Sequence, residues 1–292
     1  MKIKGVLSKS SAVWKVCQFL LVMLLTTILA IFLWSALFHG SQSLVSLKVL
    51  QMLQTVATFM LPCFIMTYLW SDAPMSYLSL NKNPDGKAVF GVILLMIIAT
   101  PCINLMGYWN AKIQLPAFLQ GLEELMKSQE LAAEQLTERF LQADNIWVLL
   151  LNLLLMAVLP ALSEELCFRG ILMKIFGEKG KIQLAIWASA IIFSAIHFQF
   201  YGFIPRMLMG ALFGYLLYWS GSLWLPVVAH FTNNAFAVVT YYIVSRYFAD
   251  SVGSIDTFGT GSTLWAGILS AVLTVAGICL LYRWLKLKKV EV

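Results

Sequence analysis

Residues 146–176 read IWVLLLNLLLMAVLPALSEELCFRGILMKIF. The run exceeds the about 20 apolar residues that cross a bilayer as a helix, yet it carries two adjacent carboxylates, Glu164 and Glu165, and a guanidinium, Arg169. Working outward, three apolar stretches of membrane length precede it, Val16 to Phe38, Val49 to Trp70 and Ala88 to Trp109. Four follow, Ile182 to Phe198, Phe203 to Trp219, Leu223 to Val244 and Leu264 to Leu285. The 292 residues are 60% hydrophobic and 12% charged, whereas soluble domains average about 45–50% apolar and about 25% charged. The pattern predicts an all-α polytopic membrane protein of about eight transmembrane helices. It divides into a three-span region with one large loop, residues 1–145, and a second region, residues 146–292.

The net charge of +6 invites a nucleic-acid reading. However, Lys2, Lys4, Lys9 and Lys15 at one end and Lys286, Lys288 and Lys289 at the other flank apolar helices, which is topology signal, so no nucleic-acid partner is expected. An even number of spans puts both termini on one side with Lys174, Lys179 and Lys181, predicted cytoplasmic, in the plasma membrane. The basic start followed by Val16 to Phe38 is too long for a signal peptide and is expected to remain as the first span. Trp70, Trp109, Trp219 and Tyr282 at span ends fit interfacial anchoring. The loop Asn110 to Asn145 holds Glu123, Glu124, Glu130, Glu134 and Glu138 against Lys112, Lys127 and Arg139 and falls on the opposite side. Within it Leu122, Leu125, Leu136 and Phe140 predict an amphipathic surface helix, which either connects spans or gates a site. Cys17, Cys63, Cys102, Cys167 and Cys279 show no CxxC spacing, so neither a disulfide framework nor a cysteine metal site is expected.

Every Asp lies in a loop, and every Glu except Glu164 and Glu165 lies in a loop or the tail. A charge at membrane depth costs at least about 2.5–3.5 kcal/mol, so such residues usually face a polar cavity and serve a function. Arg169 follows Glu165 by four residues, which places both on one helical face as an ion pair. Glu164, rotated about 100° away, is free for other work. Pro160, one turn earlier, frees a carbonyl and bends the span. His230 has Asn234 four residues on, and Phe193 precedes His197 by four, predicting an imidazole beside an amide and an imidazole beside a ring. His39 reads as incidental, and Arg206, after Pro205, as reaching either the interface or a substrate, with the interface preferred. Counted at about 1.5 Å per residue, Glu164, His230 and Asn234 lie about 10–16 Å from the cytoplasmic helix ends and His197 about 24 Å, a gap left to helix tilt.

These motifs, Glu164-Glu165-x-x-x-Arg169, Phe193-x-x-x-His197 and His230-x-x-x-Asn234, occur in order on three spans. The set resembles the CAAX-protease and bacteriocin-processing (CPBP, or Abi) family of intramembrane peptidases over about Ile146 to Val244. The resemblance implies a membrane hydrolase with Glu164 as general base against a peptide bond of a membrane-associated peptide or protein. Glu165, Arg169 and Phe193 would support it, and His197, His230 and Asn234 would position water, stabilise the oxyanion or bind a metal. Two histidines and a carboxylate equally suit a catalytic Zn2+ held by His197 and His230, a metalloprotease alternative. The absence of HExxH, GxSG and any intramembrane Asp speaks against a soluble-type zinc protease, a serine protease and an aspartyl protease. Two non-enzymatic readings remain, a small proton-coupled transporter and a catalytically silent scaffold or immunity protein; the polar residues crowd the second half alone, which favours a single site.

Overall fold

The computed structural model describes residues 3–290, with side chains to 287. Lys2 and the side chains of Lys288 and Lys289, read above as topology signals, lie outside the described residues. Nine long helices and no strand are found among the described residues. In chain order they are α1 Ala12–Phe38, α2 Leu44–Trp70, α3 Gly86–Asn110, α4 Gln120–Leu141, α5 Ile146–Gly177, α6 Ile182–Ala195, α7 Phe203–Ser220, α8 Trp224–Tyr247 and α9 Leu264–Val290. Seven segments are long and apolar enough to cross a membrane, and α6 is a shorter apolar helix. The protein is therefore an all-α, multi-pass membrane protein, as the apolar runs predict.

The ends follow from local chemistry. Asn145 Oδ1 accepts from the N–H groups of Trp147 and Val148 and so starts α5 where the apolar run begins. Gly221, at φ 70°, closes α7 in the left-handed region, its N–H bonded to Leu217 O. In α5 the backbone widens to a π turn over Leu154–Val158, immediately before Pro160. Pro160 has no N–H, and its ring crowds the carbonyl one turn back; the Leu159 N–H reaches five residues back to Leu154 O. The expected disturbance at Pro160 thus takes the form of a π bulge. A second π stretch, Leu166–Leu172, follows the two carboxylates directly.

One expectation needs correction. The fifth apolar stretch was predicted to stay helical to Phe198, with His197 on the span, but α6 ends at Ala195. Ile196 and His197 form a turn, and Phe198 takes the left-handed φ of 53°. Ser194 Oγ donates to Phe203 O at 2.7 Å, so the chain reverses there into α7. Apolarity alone carries no signal for this reversal.

Two clusters of buried side chains fill the bundle. One joins Phe19 of α1, Cys63 and Met66 of α2, Phe168 and Ile171 of α5, Ile186 and Phe193 of α6 and Val227 of α8. The other joins Val92 and Met96 of α3, Phe213 of α7, Ala229 of α8 and Leu281 of α9. Helix α4 is tied in at two points. Glu130 Oε2 accepts from Tyr201 N at 3.2 Å, and near its C-terminal end Asn152 Nδ2 donates to Leu141 O while Asn152 Oδ1 accepts from buried Lys48 at 2.6 Å. Phe140 is buried beside that lysine, 5.9 Å from its ring centroid, whereas Leu122, Leu125 and Leu136 stay exposed as on a surface helix.

Candidate active site

Glu165 is the centre of the polar cluster. It is fully buried, and its Oε1 accepts from Arg169 Nη1 at 2.7 Å and from His230 Nδ1 at 2.9 Å. The predicted ion pair is present, and Glu165 does more than hold its helix, because it also orients a histidine of α8. Oε2 of Glu165 is buried without a hydrogen-bond partner among the described residues. Arg169 sends Nη2 to Gly210 O of α7 at 2.8 Å, and its guanidinium lies 4.6 Å from the centroid of Phe193 and 5.4 Å from that of Phe213. One side chain therefore links α5, α6 and α7 through charge, a carbonyl and two ring faces.

That arrangement needs Gly210. A Cβ there would stand 3.1 Å from Arg169 Nη2, 3.1 Å from Phe193 Cδ1 and 3.3 Å from Ala190 Cα. Gly214, one turn on, has Ile186 Cγ2 at 3.0 Å in the same sense, so two small residues let α6 and α7 approach closely. Gly210→Ala is expected to cost about 1–3 kcal/mol by overpacking, read as lower thermal stability in detergent, and to loosen Arg169 from its carbonyl.

His230 is held on three sides. Phe213 stacks on it with centroids 5.3 Å apart and 22° between planes, the Phe193 ring meets it edge-on at 5.9 Å, and Glu165 takes Nδ1. With the Nδ1 proton donated to Glu165, Nε2 carries the lone pair. That nitrogen faces Glu164 Oε2 at 3.9 Å, too far for a direct hydrogen bond and suited to a shared water. Glu164 makes no hydrogen bond among the described residues and keeps 15% of its side chain exposed, against 0% for Glu165. Neighbouring carboxylates on one helix thus differ in exposure and in partners.

The other predicted residues are placed as follows. His197 lies in the turn after α6, its Nδ1 bonded to Phe193 O at 2.8 Å and its ring edge-on to Phe193 at 5.2 Å. Phe193 therefore touches His197, His230 and Arg169, and bridges the depth gap counted along the spans. Asn234 is not hydrogen-bonded to His230 as its spacing predicted. Its Nδ2 donates to Met156 O at 3.2 Å, the carbonyl that an N–H at Pro160 would have taken in an α-helix, and its Oδ1 accepts from Asn233. Asn234→Ala is expected to lose about 0.5–1.5 kcal/mol, and Asn234→Asp more, since a carboxylate oxygen then meets a carbonyl oxygen; thermal unfolding of both variants checks the order.

A cleft of about 1150 Å3 opens beneath α4, lined by Glu130, Glu134, Lys127, Tyr201, Gly202 and Asp256 among others. Burial holds the Glu130 carboxyl above its ordinary range, opposed by the Tyr201 N–H and the Arg206 charge. A metal here would draw on His197, His230 and Glu164. The two Nδ1 atoms are committed to Glu165 and Phe193 O, which leaves both Nε2 atoms and Glu164. Among the described residues, however, no three His, Cys, Asp or Glu side chains are grouped to hold an ion. Glu164 Oε2 and His230 Nε2, 3.9 Å apart, are the donor pair brought together.

All the candidate residues fall in a segment with known relatives. Residues 146–236 match the Rce1-like family. Its description is Type II CAAX prenyl endopeptidase Rce1-like, and the match runs from the start of α5 to just past Asn234, as the three motifs predicted. The uncharacterized protein YpbD of Bacillus subtilis (strain 168) is 31% identical over 88 residues, which are 29% of this chain and 42% of YpbD. The chain therefore aligns with less than half the length of that relative. No solved structure matches. Three features of the site went unread in the sequence, namely the Glu165–His230 bond, Phe213 on the imidazole and Gly210 O on Arg169. Only the last had a signal, the Gly210 and Gly214 pair at one-turn spacing.

Proposed function

We propose that this protein is an intramembrane endopeptidase in which Glu164 activates water against a peptide bond of a membrane-associated peptide or protein. The observation that carries it is the relay Arg169–Glu165–His230, which fixes His230 Nε2 toward a partly open, unbonded Glu164. A water between the two donates one O–H to Glu164 Oε2 and the other to Nε2, leaving an oxygen lone pair to attack the carbonyl carbon. Glu164 takes the proton as the C–O bond forms, and returns it to the amine as the C–N bond breaks. Glu165 and Arg169 act as positioning residues, since neither faces the water. His197 stands across the Phe193 ring from His230, its Nδ1 bonded to Phe193 O, and Asn234 keeps α8 on the π bulge of α5.

In this reading residues 146–292 carry the peptidase core, and residues 1–145 supply packing and the α4 cover. The Lys and Arg distribution supports a cell-membrane protein with both termini cytoplasmic. The match to a CAAX prenyl endopeptidase family supports proteolysis; a prenyl group is not required by any contact described above. The test uses the purified chain in proteoliposomes with a pool of N-acylated synthetic peptides, new termini being read by mass spectrometry. Cleavage by the wild-type protein and none by Glu164→Gln supports the reading. No cleavage by either, or equal cleavage by both, overturns it.

A further inference from the structure

Arg206 stands near the start of α7, and its side chain turns back rather than outward. Nη2 donates to Gln199 Oε1 at 2.7 Å and Nη1 to Gln199 O at 3.4 Å. The guanidinium lies against Gly202, where a Cβ would stand 2.9 Å from Nη2 and 3.5 Å from Cζ. Gly202 lines the cleft beneath α4 together with Tyr201 and Glu130. On its inner side the Arg206 charge acts on Glu164 and His197. The side chain thus stands beside the cleft, against the Gly202 that lines it.

Its hydrogen-bonding is incomplete. A guanidinium has five N–H donors, and both groups it meets here are neutral oxygens of Gln199. Glu130 and Glu164 both feel its charge, but no carboxylate lies within 4.0 Å of it among the described residues. A snorkelling arginine extends its head to water, and a charged group in a membrane segment is otherwise paired. A half-buried, pre-oriented and unneutralised guanidinium at the edge of a cleft has one fitting ligand chemistry, an oxygen anion, for which the planar fork is suited.

We propose that Arg206, seated on Gly202 and held by Gln199, binds an anionic oxygen of the peptide substrate, either its terminal carboxylate or the oxyanion formed on the scissile carbonyl. This rests on the peptidase reading. In the oxyanion case, water oxygen bonds to the carbonyl carbon and the carbonyl electron pair moves to oxygen beside the guanidinium. The charge is lost again when the C–N bond breaks.

The experiment compares wild type, Arg206→Gln, Arg206→Lys and Gly202→Ala in proteoliposomes. The probe is the fastest-cleaved peptide of the N-acylated pool, made with a free C-terminal carboxylate and as the carboxamide. Binding of both forms to liposomes with and without protein is measured alongside cleavage. A terminal-carboxylate role raises KM about 10-fold for the carboxylate form in Arg206→Gln and leaves the amide form unchanged. An oxyanion role lowers kcat by about 10²–10³-fold for both forms alike, with KM unchanged. Arg206→Lys recovers part of either loss, and Gly202→Ala, which displaces the guanidinium without removing it, reproduces it should Arg206→Gln fold poorly. Wild-type kcat and KM for both forms in Arg206→Gln overturn the proposal. If wild type cleaves neither form, the peptidase reading falls, and binding of the free pool decides the rest. A carboxylate preference lost in Arg206→Gln sustains the anion site, and no preference overturns it.

Discussion

Glu164→Gln is expected to fold like the wild-type chain and to cleave about 10²–10⁴-fold more slowly, the range for loss of a positioned general base. The substitution keeps shape and removes only the capacity to take a proton. Glu164 has no hydrogen bond to lose and no ion pair closer than the 3.9 Å approach of His230 Nε2. Its removal as a charge also relieves the cost of holding a carboxylate at membrane depth. Thermal stability in detergent should therefore stay level or rise while the rate falls. Glu164→Asp, one methylene shorter, should keep the carboxylate but draw it back from the shared water, and recover only a small part of the rate. Full activity in Glu164→Gln would remove this residue from the role of base and leave His230 or His197 to be tested in its place.

The largest loss of stability is expected from breaking the adjacent pair on one side only. Glu165→Ala leaves the Arg169 guanidinium buried with Gly210 O as its remaining hydrogen-bond partner and strips His230 Nδ1 of its acceptor. Removing one member of a buried pair costs about 3–5 kcal/mol, and Arg169→Ala should cost the same or more, since Phe193 and Phe213 lose the cation between them as well. Both variants should show collapsed thermal transitions or fail to accumulate. The double variant Glu165→Leu with Arg169→Met separates folding from function. Replacing both charges by apolar groups of similar volume is often neutral for stability, so the double variant should fold better than either single one and still be inactive, because His230 Nδ1 then has no acceptor to turn Nε2 toward Glu164. An active double variant would show that the relay positions nothing.

The span count, the acidic loop and the identity of the Glu165–Arg169 pair were all readable from residue order. Each depends on periodicity or on apolar run length, which are local along the chain. The match over residues 146–236 accords with the motif reading for the same reason, since all three motifs are short intervals on single helices. Where the reading failed, the deciding contact lay between helices. Asn234 sits one turn from His230 as expected, yet it bonds to Met156 O across the α5–α8 contact. The depth count set His197 apart, while α6 stops at Ala195 and the Phe193 ring spans the interval to His230.

By itself the sequence determined that the chain crosses a membrane many times and that its few charges at depth are concentrated in one half. Burying apolar residues in lipid requires long uninterrupted runs, and intramembrane charge is too costly to occur without purpose. Which of the two adjacent carboxylates is enclosed follows from tertiary packing. Glu165 is enclosed by Arg169 and His230, and Glu164 is left open, because packing of α8 against α5 presents one imidazole to one of them. That choice depends on the angle and register between two helices some 65 residues apart, a quantity that no local pattern along the chain encodes.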